Sequence, residues 1–287
     1  MNLFSYLQLA SIVKNIKKVE EGGKISKEGK DLIEKIVKQL NTIEQKLNPP
    51  EKLKLRLEEI KTKNWAEADK HYLEFCVWYT TKNLPSAVQK LNELEDVLRK
   101  AGYETIRIDA KLEERGVFGT SQRFGRCLFE VGLEFDPYLN LPVVPGSSLK
   151  GAARSTYEIL RSEHKDWPSP EEIFGSGGGT AQSGKAVFLD AYPVSPGRGK
   201  AILFPDVMTP HYKKKSGEDM FSEFGWEPRP ITYLSVAPET TFRFLVGVVK
   251  NYKDILHQTL LETLELGLGA KTAVGYGRFR VEVEHVG

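Results

Sequence analysis

Two short stretches of this chain gather the residue types that hold an anion. The first is Pro145-Gly146-Ser147-Ser148-Leu149-Lys150-Gly151-Ala152-Ala153-Arg154. Here a turn leads into a helix whose first turn carries hydroxyls. Free backbone N–H groups at a helix start attract negative charge, and Ser147 or Ser148 is placed to cap them. Lys150, Arg154 and Arg161 recur at i, i+4 and i+11 on one side of the helix, away from its apolar residues. Gly151 and the adjoining alanines allow a ligand close to the helix, and a phosphate backbone fits. The plainer alternative is a capped amphipathic helix with a solvated basic face. The second stretch runs from Gly267 to Gly277, with Gly267, Gly269, Gly275 and Gly277 set around Lys271 and Thr272 and followed by Arg278. Glycine allows positive φ and close backbone approach, so this loop is suited to wrapping a phosphate chain with its amides. Its plainer alternative is a helix terminator without a ligand. Four glycines with Lys271 and Arg278 exceed what termination requires.

Other chemistry is poorly supported. Ala270-Lys271-Thr272 looks like part of a nucleotide-binding P-loop, but that motif wants glycine at 265 and 270, where Glu265 and Ala270 stand. A P-loop also follows a strand and opens a helix, the reverse of the order read here. His71, His164, His211, His257 and His285 share no motif, and no paired-cysteine, H-E-x-x-H or G-x-S-x-G pattern occurs. Asp190 and Asp206 flank a long insertion, and two scattered aspartates are weak grounds for a metal. The expectation is no catalytic residue, no metal and no cofactor. A third glycine cluster, 175–179, has no charge beyond Lys185 and reads as a flexible loop.

The composition fits a globular chain. Of 287 residues, 40% are apolar and 28% charged, with a net charge of +2. Any basic surface must therefore be local. Cys76 and Cys127 sit in apolar runs and read as buried free thiols of a reducing compartment. No segment reaches the roughly 20 apolar residues that span a bilayer. Lysines at 14, 17 and 18 follow the apolar N-terminal stretch, where a signal peptide would place them ahead of it. A cytoplasmic protein is expected.

The elements that must position the two motifs follow from periodicity. Up to residue 101 apolar residues recur at three and four: Leu32 to Leu47, Trp65 to Tyr79, and Val88, Leu91, Leu94 and Leu98. This predicts a helical N-terminal region. From 102 the period is two. Strands are expected at 104–112, 127–135, 186–192, 231–236, 241–249 and 278–285, the last with Phe279, Val281 and Val283 facing one way. Helices are expected at 147–162 and 252–266. Reduced to strand, helix, strand, strand, helix, strand, residues 102–287 predict an α+β domain of ferredoxin-like (RRM-like) type. The stretch 193–230 holds six prolines, the basic run His211-Tyr212-Lys213-Lys214-Lys215 and little clear period. It reads as a long functional or mobile insertion.

With both motifs at these places on a split βαβ chain, the sequence resembles the RAMP superfamily of CRISPR-associated proteins. The hallmark matched is the glycine-rich loop between the final helix and the final strand, Gly267, Gly269, Gly275 and Gly277. Residues 141–154 look like the family's first-helix signature. Phe188-Leu189-Asp190-Ala191-Tyr192-Pro193 and Asp206-Val207-Met208-Thr209-Pro210-His211-Tyr212 narrow the likeness to subunits of the Cmr (type III-B) effector complex. The resemblance covers about 104–285. It implies a non-catalytic subunit that binds the 3′ part of the guide RNA and caps a filament of RAMP subunits. Guide RNA and target RNA, a neighbouring RAMP backbone subunit and a small helical subunit are the implied partners, with no membrane. Backbone members of the family extend a hairpin thumb, and 193–230 is where one would stand. Target cleavage in such complexes uses an aspartate between the first strand and first helix. Asp136 falls in that interval, but its surroundings do not match and the role does not transfer. The RNA-contacting residues expected are Ser147, Ser148, Lys150, Arg154, Gly267, Gly269, Lys271, Thr272, Gly275, Gly277 and Arg278. An RNA-processing endonuclease of the same superfamily is the alternative, with His164 after the first helix as its candidate base. A protein scaffold that binds no nucleic acid is the third.

Overall fold

A computed structural model describes residues 80–120, 131–177, 181–214 and 226–286, with helical positions 34, 35, 38 and 42. The stripes at 32–47 and 65–79, both cysteines, and residues 127–130 of the expected second strand lie largely or wholly outside the described residues. In chain order the elements are α1 (Leu84–Lys100), β1 (Glu104–Leu112), β2 (Phe135–Asp136), β3 (Leu141–Pro142), α2 (Gly146–Glu163), α3 (Pro170–Phe174), β4 (Ala186–Phe188), β5 (Tyr192–Ser195), β6 (Leu203–Lys214), β7 (Trp226–Val236), β8 (Thr241–Val248), α4 (Lys253–Leu266) and β9 (Phe279–Val286). They fall into two compact units. One combines Val77–Thr120, Glu134–Leu203 and Val236–Gly287; the other combines Met1–Cys76, Ser121–Leu133 and Phe204–Ser235.

The first unit is built on β1. Its even positions, Ile106, Ile108, Ala110 and Leu112, are buried in the core, as the two-residue period predicts. β8 pairs with β1 from Glu104↔Val248 to Lys111↔Thr241, and β9 pairs along its other side. β4 and β5 share the far edge of β8. All pairs are antiparallel, and the order is β4-β8-β1-β9. α2 connects β1 to β4 by way of the β2–β3 hairpin, and α4 connects β8 to β9. Leu149, Ala153 and Tyr157 of α2 join Leu256, Leu260 and Leu264 of α4 in one core with Phe118, Phe242, Phe244 and Phe279. Burying each leucine or phenylalanine among them contributes about 1.5–3 kcal/mol. Tyr157 closes the core's edge: its hydroxyl donates to the Pro168 carbonyl at 2.9 Å, and its ring packs on Trp167 and Phe174. Burial pushes its hydroxyl up to about 12.

The opposite face of the sheet is covered by α1. Ala87, Leu91 and Leu98 of this helix are buried, with Leu98 over Gly247. Buried Glu95 accepts from Arg99 (2.6 Å), Arg107 (3.2 Å) and Thr105 (3.4 Å). On the same face Arg243 reaches Asp109 through two bonds of 2.7 and 2.6 Å. These are the odd positions of β1, so the polar half of the alternation meets a helix that brings its own partner charge.

Three expectations need correction. The alternation read through Val283 is interrupted: Val281 pairs with Ala110, but Val283 pairs with Asp109, because the register shifts between those two β1 residues. The described part of 193–230 is largely strand. Tyr192–Ser195 is a strand of the main sheet, and β6 pairs with β7 in a separate two-stranded ladder. Prolines at 205, 210, 228 and 230 mask the strand period, and a two-stranded ribbon has two open edges that tolerate them. For the same reason the strand read at 231–236 is the end of β7 and no part of the main sheet. In the second unit, the Tyr233 hydroxyl donates to buried Asp206 at 2.9 Å. Among the described residues no helix is long and apolar enough to cross a membrane.

Candidate nucleic-acid interface

The first motif opens α2 in a way the sequence did not indicate. The N-cap is Pro145, in extended conformation, and no side chain caps the helix from that position. Ser147 and Ser148 lie inside the first turn and are exposed. The expected serine cap is therefore corrected: Asp190, 44 residues downstream, accepts the Gly146 amide at 2.8 Å. Gly146 is required by proximity. A Cβ there would lie 2.5 Å from the Phe188 carbonyl oxygen and 2.9 Å from the Leu189 carbonyl carbon. A glycine lets the helix start press against the turn that follows β4. Beyond it, Gly151 is exposed, with nothing within 4 Å of its Cβ position.

The basic side of α2 is less available than its spacing implied. The Arg154 guanidinium donates to Glu171 at 2.7 Å, to Glu158 at 3.0 Å and to the Gly175 carbonyl at 3.2 Å. Arg161 donates to the Trp167 carbonyl at 3.2 Å. Only tertiary folding brings Glu171 and Gly175 to this face, so the sequence could not show that Arg154 stitches α2 to α3. Lys150 is half-buried and has no ion pair among the described residues.

The glycine-rich loop follows α4 as expected. Gly267, Gly269, Gly275 and Gly277 all have positive φ, and so does Lys271 at 66°. Its amides are largely engaged within the protein, which corrects the picture of a free amide cradle. The Leu268 amide donates to the Gly277 carbonyl (2.8 Å), the Ala270 amide to Val117 (2.9 Å), the Gly275 amide to Thr272 (3.1 Å) and the Gly277 amide to Arg115 (2.8 Å). A Cβ at Gly277 would sit 1.9 Å from the Leu268 oxygen, and one at Gly269 2.5 Å from the Val117 oxygen. The Thr272 methyl packs toward Gly267. The loop thus buries Gly277 and leaves Gly269, Ala273, Val274 and Arg278 exposed. Lys271 places its ammonium 4.8 Å from the centre of the Tyr276 ring.

A backbone ladder joins the two motifs. Ala270 donates to Val117, Glu134 to the Phe118 carbonyl at 2.8 Å, and Val143 to the Glu134 carbonyl at 3.1 Å. Val144 and Ala191 exchange bonds of 3.0 and 2.9 Å, and Asp190 then receives Gly146. Glu134 and Asp190 thus belong to the framework between the motifs. Burial, and then the charge of Asp190, pushes the Glu134 carboxyl up. Neither residue was among the expected contacts. The sequence signal for Asp190 is its place in the 188–193 motif, and a metal role for it would need Asp206. Those two aspartates fall in different units. No group of three or more His, Cys, Asp or Glu able to hold a metal occurs among the described residues.

The remaining candidates are structural in placement. Asp136 accepts the amides of Tyr138 and Leu139, the Lys90 ammonium and the Tyr192 hydroxyl. Burial pushes its carboxyl up, and these four donors outweigh that and hold it below the usual range. His164 ends α2 and stacks on Trp167 at 4.8 Å between ring centres. Eighteen helical residues, about 27 Å, separate it from the Gly146 end.

The family model of the RAMP superfamily matches residues 125–280. The chain is 35% identical over 195 residues to the CRISPR system CMR subunit Cmr6 of Saccharolobus solfataricus, covering 66% of this chain and 62% of that protein. It is 36% identical over 123 residues to the Cmr6 of Pyrococcus furiosus, covering 40% of this chain and 34% of that one. The chain therefore spans less than two thirds of the length of these relatives. A chain in the cryo-EM structure of the Type III-B Cmr-beta complex bound to cognate target RNA superposes with a TM-score of 0.60 at 33% identity, over 70% of this chain and 66% of that one. The glycine-rich loop and the helix-start motif both fall inside the matched span, and the chain belongs to the RAMP superfamily.

Proposed function

We propose that this chain is a non-catalytic RNA-binding subunit of a type III-B CRISPR effector complex, equivalent to Cmr6. In this role it binds the 3′ part of the guide RNA and caps the filament of RAMP subunits, beside a neighbouring RAMP subunit and a small helical subunit, in the cytoplasm. The observation that carries the reading is the backbone ladder that fixes the glycine-rich loop and the Lys150 turn to one framework. Likeness to the Cmr6 proteins supplies the assembly. The strand order β4-β8-β1-β9, with α2 and α4 as crossovers, supports a ferredoxin-like core. The domain arrangement proposed is a helical region over 1–101, whose last helix α1 serves as an outer layer, and a RAMP domain over 102–287. The β6–β7 ribbon is the proposed thumb.

Within the loop, Lys271, Thr272 and Arg278 are the proposed phosphate contacts; on α2, Ser147, Ser148 and Lys150 are. Arg154 acts with them by holding α2 to α3. Gly267, Gly269, Gly275 and Gly277 shape the loop more than they donate to RNA. His164, stacked on Trp167 far along α2, gives no support to the endonuclease alternative. The test is incubation of the purified chain with labelled guide RNA, over a salt series. Binding without cleavage, falling steeply with salt, is expected. Specific cleavage lost in His164→Ala would replace this reading with the endonuclease; absence of binding would leave the scaffold.

A further inference from the structure

The outer face of the sheet carries basic side chains that lead away from the glycine-rich loop. Phe279 is buried in the core, while Arg278 before it and Arg280 after it are exposed. Alternation puts both arginines on the face opposite α2 and α4. The register of β1 and β9 extends this row sideways. Leu112 pairs with Phe279, both in the core, and Lys111 pairs with Arg280. Lys111, an odd position of β1, therefore shares the outer face with Arg280. α1 covers this face at the opposite end of β1, where Glu95 accepts from Thr105 and Arg107. Between the two ends, Asp109 is matched by Arg243 through bonds of 2.7 and 2.6 Å. Glu113, whose amide donates to the Arg278 carbonyl at 2.9 Å, is the exposed carboxylate beside Arg278. Past it, Lys111 and Arg280 set two positive charges opposite each other.

Like charges directly opposite on paired strands oppose folding. The same pair attracts a phosphate placed across it from two sides. Arg278 and Arg280 stand two positions apart, roughly 7 Å along an extended chain, a step close to that between successive phosphates of a stretched RNA strand. Cations set out in this way follow a phosphate backbone without reading its bases. We propose that Arg280 and Lys111 are further phosphate contacts, and that RNA leaving the glycine-rich loop at Arg278 continues across the outer face of β9 and β1. The inference rests on the proposed function, in which Arg278 contacts RNA.

The experiment uses the full chain, labelled guide RNA over a salt series, and the purified neighbouring RAMP subunit. Arg280→Gln is expected to weaken RNA binding and flatten its salt dependence by about one unit of slope, and Arg280→Gln with Lys111→Gln by about two. Arg280→Lys, which keeps the charge, is expected to keep the wild-type slope. The thermal melt of Arg280→Gln is expected to be no lower than that of the wild type, because the change removes a like charge opposite Lys111. Wild-type affinity and slope in Arg280→Gln overturn the proposal and leave the glycine-loop reading standing. A lost slope that comes with a lowered melt gives Arg280 a structural role and overturns it as well. Weakened association with the neighbouring subunit at unchanged RNA affinity makes this face a contact for an acidic protein surface, which also overturns it. A wild-type chain that binds no guide RNA removes the proposed function together with this inference.

Discussion

Asp190 accepts the amide of Gly146 at 2.8 Å, so the helix that opens the first anion motif is capped from the far side of the sheet connection. The bond fixes α2 to the turn after β4, and Gly146 lets the two backbones touch. Gly146→Ala should therefore be costly, because its methyl would meet a carbonyl oxygen at 2.5 Å. A loss of about 1–3 kcal/mol is expected in denaturant unfolding. Asp190→Ala should cost about 0.5–2 kcal/mol, the usual range for a lost cap.

Lys150 and Arg154 should separate under mutation. Lys150→Ala is expected to leave the melt unchanged, lower guide-RNA affinity and flatten the salt dependence by about one unit of slope. Arg154→Ala should lower the melting temperature, because it leaves Glu171 and Glu158 without their partner. Equal melts for the two variants would contradict the stitching role of Arg154.

The glycines of the loop should rank by crowding. Gly277→Ala places a carbon 1.9 Å from the Leu268 oxygen at a φ of 68°. Gly275→Ala meets nothing within 4 Å and has only its φ of 93° to overcome. The expected loss for Gly275→Ala is about 1 kcal/mol, the usual cost of forcing a side chain into the left-handed region. Gly277→Ala should lose clearly more. Unfolding midpoints of the two variants check this.

The alkaline limb of stability should report the Lys90–Tyr192–Asp136 cluster. Burial pushes the Tyr192 hydroxyl up to about 12. Burial pulls Lys90 down, but its bonds to Tyr192 and Asp136 outweigh that and leave it raised. A group with a raised folded pKa contributes stability in full below its unfolded value and loses it as pH rises through the folded one. The loss should run from about pH 10, the ordinary tyrosine value, to about 12. Tyr192→Phe should shrink this limb in a pH series of thermal melts.

Glu134 should behave in the opposite sense to a paired carboxylate. Its pKa is raised, first by burial and then by Asp190, so the folded state loses stability as pH rises through the carboxylate range. Glu134→Gln is expected to raise the melting temperature at neutral pH. The gain should vanish on acidification, once the native carboxyl is protonated.

Local sequence settled β1, the run of α1 and the glycine loop, while β5, β6 and β7 escaped it. The two-residue period of β1 and the glycines after α4 are short-range properties, and each appears where its spacing puts it; of the stripe read at Val88, Leu91, Leu94 and Leu98, Leu91 and Leu98 are buried while Val88 and Leu94 are half-buried and Ala87 and Glu95 take the inward places. The family hallmark was legible for the same reason: four glycines at positive φ are a local backbone requirement. What the sequence could not decide was which groups those motifs meet. Arg154 reads as a free cation until Glu171 and the Gly175 carbonyl arrive from α3. Ser147 and Ser148 read as caps until Asp190 takes the helix start from 44 residues away. The loop amides read as a cradle until residues 115 and 117 accept two of them. Hydrogen bonds and ion pairs depend on distances of about 3 Å between chain-distant atoms. The antiparallel sheet, by bringing β1, β8 and β9 side by side, and the packing of α2 on α3 set those distances.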